Sequence, residues 1–194
     1  MTNGETSMRL MMWRTGLVAV GTAFLAAPSA QAADDFFTTV FAKAQGGTPC
    51  YGRTYDDAHL KSHSQQTIRR IEIDMDKADA NDRLNTSENF ELGIAVMTTK
   101  SSEWYGNAAY CKGGAQSAEC LLDGDGGRFK LTAASDGAVR LETGDYGIGF
   151  EGEKDFIELK ADSGDDRVFV LKPGRTECDA ATKYFDEASK ADAE

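Results

Sequence analysis

Alternation of apolar and polar residues is the dominant pattern in this chain. It begins in "IRRIEIDMDK", which starts at residue 68. Residues of an extended strand point alternately to its two faces. One face carries Ile71, Ile73 and Met75, and the other carries Arg70, Glu72, Asp74 and Asp76. The pattern predicts a half-buried strand whose acidic residues lie on the solvent face.

Similar strand signals follow along the rest of the chain. They occur in "FELGIAVMTTK", in "EWYGNAAYC", in "ECLLD", and then about every ten residues at Phe129/Leu131, Val139/Leu141, Tyr146/Ile148/Phe150, Phe156/Ile157/Leu159 and Val168–Leu171. Between the later signals lie the Gly- and Asp-rich stretches "DGDGG", "SDG", "ETGD", "EGEKD" and "DSGDD", which are typical of tight turns. The spacing predicts an all-β fold, an antiparallel meander that closes into a barrel of about eight strands. A β-sandwich is the alternative.

Two short helices are predicted at the ends of the domain. In "DDFFTTVFAKAQGG" the residues Phe36, Phe37, Val40, Phe41 and Ala44 form one helical stripe, with Asp34 or Asp35 as cap and Gly46-Gly47 as stop. We expect this stripe to pack on the domain. Near the C-terminus, Ala181, Tyr184, Phe185 and Ala188 repeat at helical spacing after Thr176, a candidate cap.

The N-terminus has the pattern of a secretory signal peptide. Arg9 and Arg14 precede "GLVAVGTAFLAA", and Ala30 and Ala32 have the spacing of a cleavage signal. The apolar run is shorter than the roughly 20 residues that a membrane-spanning helix needs, so we expect no anchor after cleavage. The predicted organisation is a leader over 1–32, an amphipathic helix over 33–49, a barrel over 50–178 and a short helix with a charged tail over 179–194. The protein is expected in the periplasm or secreted.

Charge narrows the possible partners. Removing the leader takes away Glu5, Arg9 and Arg14 and leaves 19 basic and 31 acidic residues, a net charge of −12. Such a surface repels phosphate backbones, so we expect no nucleic-acid partner. A basic protein or a small ligand fits better, and acidity also keeps a small exported protein soluble and monomeric.

The four cysteines predict two disulfides, because an even number in an exported chain is typical of an oxidising compartment. Three pairings are possible. The short spacing between Cys111 and Cys120 favours a link between neighbouring strands, which leaves Cys50 to pair with Cys178. The paired C-x-x-C spacings of a zinc site are absent.

Both histidines lie in "YDDAHLKSHSQQTIRR", at positions 59 and 63. Residues four apart share one face of a helix or of a strand, so His59 and His63 are candidate metal ligands, with Asp56 or Asp57 as a third. The segment has no Glu in the H-E-x-x-H arrangement and no helical apolar stripe. We therefore expect exposed or capping histidines, with no cofactor and no catalytic residue assigned.

Other candidate chemistry in the chain is sparse. A Ser-His-Asp or Cys-His nucleophile would need one of the same two histidines, and no G-x-S-x-G elbow is present. Asp123 and Asp125 alternate like calcium ligands, but the rest of the EF-hand pattern is missing, so a hairpin turn is predicted. The aromatic residues Tyr51, Trp104, Tyr105 and Tyr110 are predicted to serve either core packing or a cavity mouth.

One stretch has a family resemblance. "AYCKGG" and "AECLLDGDGGRFKLTAASDGAVRLETG", followed by "DDRVFVLKPG", resemble small exported bacterial β-rich proteins in which cysteines flank a turn before a glycine-rich hairpin. The resemblance covers roughly residues 104 to 172. It implies a shared all-β domain and no known activity.

These patterns predict a disulfide-linked, non-catalytic barrel with a binding or envelope-structural role. One alternative is an inhibitor of a basic extracytoplasmic protein such as a lysozyme, by analogy with small acidic periplasmic barrels. Another is a metal-binding or metal-dependent enzyme that uses His59 and His63.

Overall fold

The structure is a computed structural model, and it describes residues 35–42, 50–75, 86, 88–160, 164–174, 178 and 180–181. The strands are β1 (Cys50–Thr54), β2 (Ile68–Met75), β3 (Asn89–Thr98), β4 (Trp104–Gly113), β5 (Ser117–Leu122), β6 (Gly127–Ala133), β7 (Val139–Glu151), β8 (Phe156–Leu159) and β9 (Val168–Gly174). One helix, α1 (Asp57–Ser62), connects β1 to β2. The other short elements are a π-helix (Thr38–Ala42) and two 3-10 turns (Ser135–Gly137 and Gly164–Arg167).

Eight of the strands close into an antiparallel barrel. Their order is β6-β5-β4-β3-β2-β1-β9-β7, and pairing of β7 with β6 completes the ring. Strand β8 pairs with the last part of β7 outside this ring. The barrel prediction is thus confirmed, and the sandwich alternative is wrong.

The barrel interior is filled with apolar side chains. The alternating residues of each strand meet in one buried cluster, whose largest members include Phe90, Phe129, Phe150, Phe169 and Ile94. Side chains of this size are enough to fill an eight-stranded barrel. The sequence left open whether the interior is hollow, and in the described residues it is packed.

The segment before β1 covers part of this core, as predicted. Phe36 and Phe41 are buried, and the ring of Phe41 packs against Phe90 at 5.3 Å and against Tyr51 at 5.8 Å. The backbone N–H of Thr38 donates to Oδ1 of Asp35 at 2.8 Å, which identifies Asp35 as the cap. The helical segment ends at Ala42 within the described residues, and Ala44 lies outside them.

Strand β7 corrects one predicted turn. The stretch "ETGD" lies inside this 13-residue strand, so the two strand signals around it belong to one element. The register against β6 shifts between Gly127 and Phe129, which marks a bulge. Gly147 adopts φ of +77°, and a Cβ there would lie 2.4 Å from the carbonyl oxygen of Leu159. Glycine therefore permits the bulge that lets one long strand bend and also bind β8.

The acidic residues of β2 correct another prediction. Glu72 is 2% exposed and Asp74 is 7% exposed, so they do not lie on a solvent face. The Glu72 carboxylate accepts hydrogen bonds from the backbone N–H groups of Ala180 and Ala181, at 2.9 and 3.1 Å. These residues are the described part of the predicted C-terminal helix, and the remainder of that helix and Thr176 lie outside the described residues. The C-terminal segment covers the outer face of β2 here, which sequence alternation does not reveal.

Both disulfides have the pairing that spacing favours. Cys111 and Cys120 lie directly opposite each other on β4 and β5. Cys50, the first residue of β1, is linked to Cys178 across 128 positions. Two disulfides are typical of an oxidising, extracytoplasmic environment.

We predict unequal losses when the disulfides are removed. On a chain-entropy model, the Cys50→Ser/Cys178→Ser variant should lose about 5 kcal/mol of unfolding free energy and the Cys111→Ser/Cys120→Ser variant about 2.7 kcal/mol. The reason is the length of loop that each link closes. Urea denaturation of both variants and the native chain measures the difference. A larger loss for the short loop would contradict this account.

We also predict that Glu72→Gln destabilises the fold by about 1–3 kcal/mol, because two charge-assisted hydrogen bonds to buried N–H groups are weakened. The control is Glu119→Gln, because Glu119 lies on the surface. Its carboxylate oxygen is 3.8 Å from Nζ of Lys130, in an exposed ion pair. That change should stay within about 0.5 kcal/mol. Equal effects of the two substitutions in urea denaturation would show that Glu72 does not anchor the C-terminal segment.

Candidate functional site

A split in the barrel wall forms the candidate site. Strand β1 pairs with β2 over its whole length, from Cys50 to Thr54. On its other edge it pairs with β9 only from Cys50 to Gly52. The residues of β9 before Lys172 have no β1 partner in the described residues. The two strands therefore diverge here and leave a gap, and α1 lies beside this gap.

The gap holds a cleft of about 420 Å³. One side is formed by Arg53 and Tyr55 together with His59 of α1 and His63, the residue that follows α1. The remaining lining residues are Gln66, Asp165, Val168 and Val170. The volume falls in the range of about 300–1,000 Å³ that is common for small-molecule sites.

Stacked rings form one wall of the cleft. The Arg53 guanidinium lies over the Tyr55 ring, with Cζ 5.3 Å from the ring centroid. The Tyr55 and His59 rings are 4.6 Å apart, and the His59 and His63 rings are 4.0 Å apart with planes only 12° from parallel. Because residues four apart share a helix face, α1 brings the two imidazoles together.

Hydrogen bonds indicate the tautomer of His59 and connect His63 to its neighbours. The Gln66 amide nitrogen donates to the Ile68 carbonyl at 2.7 Å, so its Oε1 faces His59 Nε2 at 3.0 Å and that nitrogen must carry a proton. His63 Nδ1 lies 3.0 Å from the His59 carbonyl oxygen and 3.0 Å from the Ser62 hydroxyl. It donates to the carbonyl in one tautomer and accepts from the hydroxyl in the other.

The expected capping role of the histidines is met by His63. Its backbone N–H also donates to the His59 carbonyl at 3.0 Å, which ends α1. Both histidines are half-buried, so they are less exposed than the sequence predicts. Ser62 donates its hydroxyl to the same carbonyl at 2.8 Å. The Ser62 hydroxyl also lies 3.0 Å from His63 Nδ1, so the side chains of Ser62 and His63 are in direct contact.

The aspartates proposed as a third metal ligand are engaged elsewhere. Asp56 caps α1 by accepting from the His59 N–H at 2.8 Å. Asp57 forms an exposed ion pair with Arg69 at 3.0 Å. Asp165 is the carboxylate that shares the cleft with the histidines. Among the residues described here, no group of three or more His, Cys, Asp or Glu side chains is arranged to hold a metal ion.

A buried carboxylate supports one end of the cleft. Asp166 is 1% exposed and accepts from the Thr67 N–H at 2.6 Å, the Thr67 hydroxyl at 2.5 Å and the Ile68 N–H at 3.2 Å. It thereby joins the start of β2 to the turn before β9. Gly164, at φ +59°, begins this turn, and a Cβ there would lie 2.3 Å from Gln65 Oε1, so glycine is required for the approach.

The aromatic residues singled out in the sequence lie elsewhere. Tyr51 is in the core, where its hydroxyl donates to the Val40 carbonyl at 2.8 Å. Tyr105 is buried, Tyr110 is exposed on the outer wall, and Trp104 stacks with Arg70 at 4.8 Å. The aspartates of "DGDGG" lie in the exposed turn between β5 and β6, as predicted, where Asp123 accepts from the Gly124 N–H at 2.8 Å.

Most of the cleft residues were missed at the level of sequence. Tyr51 and Arg53 of β1 and the next alternate residue, Tyr55, lie at every second position, which is the spacing of one strand face. Strand β1 was nevertheless not predicted from the sequence. Arg53 is in register with Ile71, a core residue. A charged residue at an inward position is a useful indication of an opening in the wall.

Comparisons with protein-family models, with curated proteins and with solved structures find no match to this chain. In the described part of the chain, no helix has the length and apolar character needed to cross a membrane.

We predict that Asp166→Asn destabilises the fold by about 1–3 kcal/mol, because an amide NH₂ would face N–H and O–H donors. Burial raises the pKa of Asp166 above its ordinary 3.8, against the opposing effect of its hydrogen bonds. The folded chain therefore binds a proton on the Asp166 carboxyl group more readily than the unfolded chain does. Protonated Asp166 contributes stability below pH 3.8, and this contribution is lost as pH rises through the raised pKa.

The measurement is urea denaturation of the native chain and the Asp166→Asn variant across that pH interval. The native chain should lose stability relative to the variant as pH increases. Asp125→Asn, in an exposed turn, is the matched control, and its stability should stay within about 0.5 kcal/mol of the native chain. A relative gain for the native chain with rising pH would reverse the sign and contradict the prediction.

Proposed function

We propose that this protein is exported to the periplasm or secreted and acts there as a non-catalytic module that binds a small molecule in the cleft between β1 and β9. The leader pattern and the two disulfides support the location. The cleft itself carries the proposal, because it combines a stacked aromatic wall with charged and aliphatic groups in one recess.

Two features of the fold favour binding at the wall over binding inside the barrel. Apolar side chains occupy the described interior and pack in one buried cluster. Val168 and Val170 are 41% and 44% exposed, although alternate residues of the same strand are in the core. Exposed aliphatic side chains beside hydrogen-bonding groups are common in small-molecule sites.

We assign no catalytic reaction to the cleft because of the contacts that its histidines and Ser62 make within the fold. His59 Nε2, His63 Nδ1 and the Ser62 hydroxyl contact polar groups of α1 and its connection to β2. A catalytic base is normally oriented by a third group, and no carboxylate contacts either imidazole ring in the described residues. These groups instead make the cleft wall rigid, which favours binding with little loss of side-chain entropy.

Two alternatives from the sequence remain predictions. A filled barrel also suits an inhibitor of a basic protein, which would use the acidic outer surface. A metal site would use His59 Nδ1, because His59 Nε2 faces the Gln66 side-chain oxygen, together with a ring nitrogen of His63. Membership of the group of small exported β-rich proteins likewise stays a proposal.

The test of the proposed function uses ¹⁵N-labelled protein and three small probes: L-leucine, 4-methylpentanoate and 3-methylbutylamine. At least one probe should cause saturable shifts of backbone amide signals in residues 53–66 and 165–170. Val170→Trp should weaken that binding at least tenfold, because the larger ring fills the recess.

The matched control is Leu121→Trp. Leu121 is 55% exposed on the outer face of β5 and does not line the cleft. Binding should be unchanged in that variant. The proposal is wrong if all three probes fail to bind at up to ~10 mM, or if both tryptophan variants weaken binding equally.

A further inference from the structure

We propose, on the basis of the proposed function, that the ligand of the cleft is an aliphatic amino acid or a short peptide of such residues. The cleft offers three kinds of group that match the three parts of this ligand class. Arg53 fits a carboxylate, Asp165 fits an ammonium group, and Val168 and Val170 fit an aliphatic side chain.

Arg53 lines the cleft and stacks on an aromatic ring, as Arg70 does on Trp104 outside the cleft. Arg69 and Arg140, by contrast, pair with Asp57 and Glu142. Arg53 forms no ion pair with a described residue, although it faces a cleft in a strongly acidic chain. A guanidinium that stacks on a ring keeps its N–H groups available in the ring plane for bidentate binding of a carboxylate.

Asp165 supplies the opposite charge in the same recess. It forms no ion pair or hydrogen bond within the described residues, whereas its neighbour Asp166 is fully engaged with Thr67 and Ile68. A cation and an anion that share a cleft without pairing to each other are complementary to a zwitterion. A ligand with only one charge would leave one of them unmatched on binding, which lowers affinity.

The apolar groups determine the third part of the ligand. Val168 and Val170 lie two residues apart on β9, so both point to the same side of the strand, away from buried Phe169. Their exposed surface would be removed from water by a branched aliphatic side chain. The volume of about 420 Å³ leaves room for more than one residue, which is why short peptides belong to the proposal.

Calorimetry with the same three probes separates the contributions. 4-Methylpentanoate is leucine without its amino group, and 3-methylbutylamine is leucine without its carboxylate. L-leucine should bind at least tenfold more tightly than either. Leucyl-leucine should bind at least as tightly as L-leucine.

The variants should divide the probes in opposite ways. Arg53→Gln should weaken L-leucine and 4-methylpentanoate at least fivefold and leave 3-methylbutylamine unchanged, while Arg53→Lys should retain part of the affinity. Asp165→Asn should weaken L-leucine and 3-methylbutylamine and leave 4-methylpentanoate unchanged. Arg140→Gln and Asp57→Asn, which alter charged residues that do not line the cleft, are the controls and should change no affinity.

The outcomes distinguish this inference from the proposed function. If one single-charge probe binds in the cleft as tightly as L-leucine, the cleft is a binding site but the zwitterion assignment is wrong. Equal weakening of all probes by Arg53→Gln would show that Arg53 only supports Tyr55, which also overturns the assignment. Failure of every probe to bind overturns both proposals.

Discussion

Closure of the barrel between β1 and β9 is the constraint on which the rest of the structure depends. Only three residues of β1 pair with β9, whereas β3 and β4 pair over nine. The disulfide between Cys50 and Cys178 lies at this short seam, because Cys50 is the first residue of β1 and is in register with Gly174. The covalent bond holds one end of the seam closed, and the other end is therefore able to open as a cleft without loss of the barrel.

The open end is supported by groups that replace strand pairing. Asp166 joins the turn before β9 to the first residues of β2, and its three donors come from residues 98 and 99 positions away in sequence. The helix α1 covers the gap from the other side, with Tyr55 and the two imidazoles stacked along it. Burial of a carboxylate is costly unless it accepts hydrogen bonds. Asp166 accepts them from backbone N–H groups that would otherwise have no partner at this end of the seam.

The sequence predicted the features that depend on local pattern. Alternation in β2 correctly identified the core face with Ile71 and Ile73, and the spacing of Cys111 and Cys120 correctly identified a bond between adjacent strands. It failed where a distant segment changes the environment. Glu72 looks like a solvent-facing residue in its own strand, and it is buried because the segment at Ala180 packs over it from 108 positions away.

The cleft was difficult to predict for the same reason. Its lining comes from two segments, residues 53–66 and residues 165–170, and Gln66 and Asp165 are 99 positions apart in the chain. The five-residue β1 contains a glycine and an arginine, so it lacks the apolar alternation that identifies strands. The histidines were noticed in the sequence, but their rings contact Tyr55, Gln66 and each other. The adjacent Asp56 and Asp57 instead bind the His59 backbone N–H and Arg69.

The net charge of the protein affects which ligands can bind in the cleft. The chain has a net charge of −11, which repels anions in general. A cation beside a recess would ordinarily be neutralised by a nearby carboxylate. Arg53 is held instead by an aromatic ring, which orients it without neutralising its charge. With Asp165 in the same recess, the long-range field disfavours a simple anion, and the local pair of charges favours a ligand that carries both signs. A neutral zwitterion has no net repulsion to overcome on approach, and its two charged groups still find separate partners when it binds.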